Sequence, residues 1–355
     1  MGAEREQRTR AGDAAGGDIR EPVGVTEKVA FLSQPAAYHR RPEKVEVVET
    51  HWSWVFLAGD WVYKLKKPVA SQRFDFTTLA GREENCRKEV ALNRRLAGEI
   101  YDGVARLTRE VDGHLAIDGE GEIVDVLVVM RRLPEASMLD RLIARRELSP
   151  RMVTRLAARL AGFYADQPPV PLAPAAYRER FGRELASDRA VFSAFHDGIA
   201  TPHLLLAERM HEALLAKGAL LEERARAGRI VEGHGDLRPE HVCMAEPIVI
   251  FDCLEFSDEL RQVDSLDEIV FLGLECAMLG ADWVAPQLLD EVQARLGVPA
   301  SGELVCLYTA ARALLRARLC LSHLLDPVPA APDRWPPLAA RYAAKADEAL
   351  ARLGV

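Results

Sequence analysis

The feature that most constrains this chain is a change of hydrophobic period about a third of the way along it. Between Val45 and Met130 apolar side chains alternate with polar ones in short runs, and beyond Arg131-Arg132-Leu133-Pro134 they recur at helical spacing. Period two marks strands and a period near 3.6 marks helices, so the two patterns cannot exchange places. Val45-Glu46-Val47-Val48-Glu49-Thr50, Trp52 to Leu57 and Trp61-Val62-Tyr63-Lys64-Leu65-Lys66-Lys67 predict three antiparallel strands, with Ala58-Gly59-Asp60 as a turn. A helix is predicted over Arg82 to Leu96. Strands follow at Val104–Leu107, His114–Ile117 and Val124–Met130, the last apolar enough to be central or well covered. The remainder reads as helix, from Ser149 as N-cap and Pro150 as first residue to Tyr164, then near 175–192 and 202–227. Strands return only at Val242–Met244 and Ile248–Phe251, around Ala245-Glu246-Pro247. Strands first, then helices with one short hairpin among them, predict an α+β arrangement of two lobes.

Composition excludes several classes. Hydrophobic residues make up 49% of the 355 and charged residues 28%, the mix of a soluble globular enzyme. A formal net charge of -8 argues against non-specific nucleic-acid binding, which needs a basic face, and permits a cationic partner. The six cysteines form no C-x-x-C pair and lie mostly in apolar runs, so they read as buried free thiols rather than zinc ligands. No apolar run is long enough to span a bilayer, and the first residues lack the apolar core of a signal peptide. The expected location is cytoplasmic, with no membrane partner. Residues 1–24 hold almost no large apolar side chains and are expected to be a flexible tail.

Two carboxylates frame the predicted hairpin. Asp236 precedes it in Gly233-His234-Gly235-Asp236-Leu237-Arg238-Pro239-Glu240-His241, and Asp252 directly follows its second strand. One acid on each side of a hairpin can converge on one edge, which is how a metal–phosphate site is built. Acid-turn-acid patterns are also common in ordinary loops, and spacing alone leaves the two readings even. On the third strand, period two places Lys64 and Lys66 on one face and Tyr63 and Leu65 on the other. From Asp252 to Glu268 the chain carries seven acids against Arg261 alone. Such blocks are usually solvated surface, and beside a phosphotransfer centre they could receive a cationic substrate.

The segment Val231 to Val242 resembles the catalytic loop H-G-D-x-x-x-x-N of the aminoglycoside phosphotransferase family, within the protein-kinase-like superfamily. Ile248-Val249-Ile250-Phe251-Asp252 resembles the strand carrying that superfamily's metal-binding aspartate. Asp264-Ser265-Leu266-Asp267-Glu268-Ile269 resembles the downstream segment that buttresses the loop. The resemblance runs from about Val45 to about Leu289 and implies a bilobal protein-kinase-like fold. The lobes would be 25–130, binding nucleotide, and 135–355, catalytic and acceptor-binding, with 131–134 as the hinge.

Carried over residue by residue, the resemblance makes Asp236 the group that orients or accepts the proton of the acceptor hydroxyl, and Asp252 a ligand of Mg²⁺ on the phosphates. Lys64, ahead of Lys66, would contact the α- and β-phosphates. Glu89 would be its helix partner, ahead of Glu83 and Glu84. Met130, Arg131 and Leu133 would offer backbone groups to adenine. His234, Arg238 and Asp267 would support the loop. His241 stands where the family has Asn. An imidazole can ligate a metal, but Mg²⁺ prefers oxygen, so His241 is read evenly as a metal or phosphate contact, with Mn²⁺ an alternative ion, and as a structural residue. The turn expected to cover the phosphates, Glu49-Thr50-His51-Trp52-Ser53-Trp54, holds no glycine. There Ser53 could still offer a hydroxyl and an amide, while Trp52 and Trp54 are expected to pack.

The expected activity is ATP-dependent phosphorylation of a hydroxyl on a small molecule: an aminoglycoside-like compound, a sugar or an amino alcohol. His241 and the glycine-free turn motivate an alternative, a kinase-fold pseudoenzyme that binds nucleotide or a partner. A further alternative is transfer of phosphate or AMP to a protein.

Overall fold

The computed structural model describes residues 23–71 and 74–355. Of the tail expected over 1–24, only Val23 and Gly24 fall within the described residues. A helix the sequence reading lacks, α1 (Val25–Leu32), comes first, followed by β1 (Val45–Glu49), β2 (Ser53–Ala58) and β3 (Trp61–Lys66). Next come α2 (Leu79–Ala97), β4 (Tyr101–Arg109), β5 (Leu115–Ile117) and β6 (Glu122–Arg131). Helix α2 starts three residues before the predicted Arg82 because Thr78 caps it, its side chain accepting from the Gly81 amide at 3.1 Å.

The six strands form one antiparallel sheet in the order β1-β2-β3-β6-β4-β5. β6 lies inside it and is covered on both faces. Leu127 and Val129 join Leu32, Phe56 and Leu65 on one side, while Val126, Val128 and Met130 join Cys86, Val90 and Tyr101 on the other. This is why β6 reads as a nearly continuous apolar run. The second cluster also takes in Cys243 and Val249, so the hairpin of the helical half packs beneath the sheet together with α2.

After β6 come α3 (Leu139–Ala144), α4 (Pro150–Ala165), α5 (Pro174–Phe192), α6 (Asp197–Lys217) and α7 (Ala219–Arg226). Ser149 takes the extended backbone of an N-cap, but its side chain makes no capping bond. The single helix expected near 202–227 is two, broken at Gly218, where a Cβ would meet the Leu214 carbonyl oxygen at 2.4 Å. The first of them begins at Asp197 and contains Pro202.

A strand pair that no periodicity announces, β7 (Ile230–Glu232) with the later β10 (Gln262–Asp264), also forms. The expected hairpin forms between these, as β8 (Val242–Cys243) and β9 (Val249–Ile250). Helices α8 (Asp258–Arg261), α9 (Ser265–Met278), α10 (Val284–Leu296), α11 (Gly302–Ser322) and α12 (Trp335–Arg352) complete the order. Leu237, Val242 and Ile250 are buried with Leu156, Leu160 and Leu272, which fixes the loop of Asp236 to the helical core. All six cysteines are free and buried, as their apolar neighbours predict. No described helix is long and apolar enough to cross a membrane.

Candidate active site

A cleft of about 1330 Å³ lies between the sheet and the helices. That is more room than a pocket for one small ligand needs. Asp236, Asp252, Lys64 and Ser53 all line it, as do Met130, Arg131 and Leu133.

The wall on the sheet side is built by period two. Val62, Lys64 and Lys66 share the face of β3 that looks toward α2. Lys64 Nζ donates to Glu89 Oε1 and to Asp252 Oδ1, both at 3.0 Å. Lys66 Nζ donates to the other oxygen of Glu89 at 2.6 Å and to Glu255 at 2.7 Å. Glu89 has no exposed surface, so it is not a solvated helix glutamate, and it serves both lysines at once. Burial opposes the charge on Lys64, but Asp252 and Glu89 outweigh it and hold the ammonium well above the usual lysine range. Burial likewise opposes ionisation of Glu89, and Lys64 and Lys66 hold it below the usual carboxylate range. Lys64 and Lys66 are thus not alternatives: one reaches Asp252 and the cleft, the other is sealed beneath it.

Asp236 and Asp252 are brought together by two histidines. The Asp236 amide donates to His234 Nδ1 at 3.3 Å, so His234 donates from Nε2 to the Phe251 carbonyl at 2.9 Å. Burial, with His241 second, pushes the His234 imidazole below its ordinary range and keeps it neutral. His241 donates from Nδ1 to the backbone carbonyl of Asp236 at 2.8 Å. Its Nε2 lies 3.3 Å from Arg238 Nη2 and 3.5 Å from Asp252 Oδ2. Arg238 also donates from Nε to Asp236 Oδ2 at 3.0 Å. Burial opposes ionisation of Asp236, yet Arg238, His241 and Arg316 hold its carboxyl below the usual range. Asp252 is likewise held below the usual range against burial, by Lys64 and His241. It also sits at φ +61°, a left-handed conformation unusual for a non-glycine residue. Such local strain persists only where surrounding contacts impose it, and here Lys64 supplies one and the Cys253 amide, bonded to Asn93 Oδ1 at 2.9 Å, another.

The loop's glycines have separate causes. Gly235 has φ +89°, and a Cβ there would press on Leu254 at 3.0 Å. At Gly233 a Cβ would strike Glu268 Oε2 at 2.4 Å. Glu268 is in fact the carboxylate that buttresses the loop: it accepts from the His234 amide at 3.0 Å, from the Gly235 amide, and from the Tyr164 hydroxyl at 2.8 Å. The expectation that Asp267 does this is corrected, since Asp267 turns the other way and takes a two-pronged pair from Arg312 at 2.8 and 2.6 Å. The two acids are adjacent on a helix, about 100° apart in direction, so only one can face the loop. Arg95 holds the loop's entry through the Glu232 and Gly233 carbonyls at 3.2 and 2.9 Å.

The glycine-free turn is tied by Thr50, whose hydroxyl accepts from the Ser53 amide at 3.0 Å and donates to the Ser53 carbonyl at 2.9 Å. Ser53 is buried at the start of β2. Trp52 packs edge-on against His51 and Phe74, and Trp54 lies under Lys67, whose Nζ is 4.9 Å from the ring centre. The Arg131 guanidinium stacks on Trp61 at 4.1 Å, and the Arg132 amide is already bonded to the Asp60 carbonyl at 2.8 Å.

The acidic run from Asp252 to Glu268 is not an open negative surface. Asp258 pairs with Lys88 and Arg261, and Glu259 with Arg183. Asp264 is fully buried against Arg224 and the Tyr308 hydroxyl. With Lys66 on Glu255 and Arg312 on Asp267, the cations that answer this run, Arg261 apart, come from distant parts of the chain.

The geometry is that of a protein-kinase-like fold, and comparison with solved structures agrees. The choline kinase of Cryptosporidium parvum Iowa II superposes with a TM-score of 0.54 at 8% identity, covering 92% of this chain and 96% of that one. The GDP and kanamycin complex of APH(2″)-IIIa superposes with a TM-score of 0.51 at 16% identity, covering 92% and 99%. At those identities the likeness is one of fold. No family model matches the chain. Uncharacterized proteins of Mycobacterium tuberculosis and Mycobacterium bovis are 30% identical over 289 residues, 78% of this chain and 54% of theirs. The chain thus spans about half the length of the curated relatives it matches.

Proposed function

We propose that this chain transfers the γ-phosphoryl group of ATP to a hydroxyl of a small molecule. The observation that carries the reading is Lys64, bonded at once to a buried Glu89 and to Asp252, on a cleft whose opposite lip presents Asp236. Val62, Met130 and Leu133 give the sheet side of the cleft an apolar lining suited to a purine. The segment 131–134 then acts as the hinge between a nucleotide-binding lobe and an acceptor-binding one.

Among the described residues no group of three or more His, Cys, Asp or Glu side chains could hold a metal. Magnesium takes most of its ligands from phosphate and water and needs as little as one carboxylate from the protein. Asp252 lines the cleft and would hold the ion, whereas His241 does not line it and has Nε2 turned to Arg238 Nη2 at 3.3 Å, which fits a structural residue. When bound, it would supply positive charge to the β- and γ-phosphates. Asp236 keeps Oδ1 for the acceptor while Arg238 occupies Oδ2. In the step, the acceptor oxygen forms a bond to the γ-phosphorus and the bond from that phosphorus to the β–γ bridging oxygen breaks. The hydroxyl proton passes to Asp236, and ADP leaves.

The test is Asp236→Ala in an ATP-consumption assay against a panel of hydroxylated metabolites. Turnover is expected to fall by about 10²–10⁴-fold while Mg·ATP still raises the melting temperature. Wild-type turnover in the variant would overturn the assignment. The second reading, a nucleotide-binding pseudoenzyme, draws on His241 at the Asn position. It predicts a Mg·ATP shift in melting temperature with no turnover in the wild-type chain.

A further inference from the structure

The wall of the cleft opposite the sheet is formed by α5 and α11 and is rich in arginine. Arg180 and Arg183 stand on α5, and Arg312, Arg316 and Arg318 on α11. Most of these are spent. Arg312 makes its two-pronged pair with Asp267, Arg318 donates to Glu184 at 2.6 Å, and Arg180 bonds the Gln262 carbonyl at 2.8 Å and its side chain at 2.7 Å. Arg183 meets Glu259. These pairs also use up the carboxylates that could receive an ammonium group. The remaining one on this side, Asp326, lies at the rim, 44% exposed, beside His323.

Arg316 differs from its neighbours. Its Nε donates to Glu275 at 3.1 Å and to the Tyr342 hydroxyl at 3.3 Å. Among the described residues nothing pairs with its two terminal nitrogens, although its side chain is only 18% exposed. Glu275 lies behind it and does not line the cleft. The guanidinium is therefore anchored at its base, with its outer fork turned toward the cleft. Its charge also reaches Asp236, whose carboxyl it helps to hold down. A free, pre-positioned guanidinium fork in a half-dry cleft matches a carboxylate or phosphate.

Resting on the phosphotransfer reading, we infer that the acceptor is an anionic alcohol, a hydroxy acid or sugar phosphate whose anionic group is held by the outer fork of Arg316 while its hydroxyl meets Asp236. This replaces the cationic acceptor that the acidic run suggests.

The experiment uses the full chain and matched probes: glycerate, gluconate and glucose 6-phosphate; glycerol, glucitol and glucose; ethanolamine and glucosamine. Binding to the Mg·ADP complex is measured by calorimetry and turnover by ADP release, for wild type, Arg316→Gln and Arg316→Lys. An anionic member is expected to bind and to be phosphorylated in preference to its neutral partner. Arg316→Gln should weaken it at least about tenfold, and Arg316→Lys, which keeps the charge and loses the fork, by less. The Mg·ADP affinity and melting temperature of each variant separate lost recognition from lost folding. Carboxylate and phosphate members distinguish the two sources of the anion. Preference for neutral or amino members, or no anion bound more tightly by wild type than by Arg316→Gln, overturns the inference and leaves phosphotransfer standing. Weakened Mg·ADP binding in Arg316→Gln also overturns it, by giving Arg316 to the nucleotide. Absence of Mg·ADP binding in the wild type counts against phosphotransfer itself.

Discussion

Lys64 and Lys66 on the sheet side of the cleft share a glutamate with no exposed surface, whereas Arg316 across the cleft is paired only at its base. On the first wall every charge has an opposite charge within 3.0 Å, and the exposed fraction of the Lys66 side chain is 2%. Such a set cannot lose one member cheaply, because the others are left charged and dry. On the second wall Arg312 and Asp267 are as dry, at 14% and 6% exposed, but Arg183 and Glu259 lie near water, where a pair is worth little to stability. One wall answers all of its own charges, and the other leaves one guanidinium fork unanswered among the described residues.

The comparison can be broken most directly at Glu89. Glu89→Ala leaves Lys66 with Glu255 alone and Lys64 with Asp252 alone. It should cost about 3–5 kcal/mol of stability in urea unfolding and weaken Mg·ATP binding. A loss under about 1 kcal/mol would mean that the lysines find water, and that the closed wall is not closed.

A smaller effect is expected at the join between the walls. Arg238 helps to keep the Asp236 carboxyl below the usual range, so Asp236 is ionised above that depressed value and gains its proton as pH falls through it. Removing the guanidinium in Arg238→Gln takes away a cation that favours the charged form. The acidic limb of the kcat/KM profile should then move to higher pH. A limb that stays in place would show that His241 and Arg316 suffice.

The least effect is expected at Arg183, whose side chain is 58% exposed and meets Glu259 at 49% exposure. Arg183→Gln should change stability by no more than about 1 kcal/mol in the same urea experiment. A larger loss would erase the contrast between the walls.

Parts of the site could be read from local pattern, since backbone period alone fixes which side chains share a face. Period two placed Lys64 and Lys66 together and made β6 a strand covered on both sides. The acids Asp236 and Asp252 flank a hairpin short enough to bring them to one edge. Glu89 came from the resemblance, as the helix partner expected for Lys64, and not from period. None of this needs knowledge of a distant partner.

What the tertiary structure decided was which charges answer one another. Asp267 and Glu268 are neighbours in sequence, and nothing local says which faces the loop; the packing of α9 beside Arg312 turned one away and left the other beneath the amides of His234 and Gly235. The β7–β10 pair joins strands about 30 residues apart, too short to announce themselves. The acidic run looked open because its cations, Lys66, Arg183, Arg224 and Arg312, lie far away along the chain. Periodicity is a property of neighbouring residues and is written in the sequence, but charge compensation is a property of space, and only the folded chain supplies it.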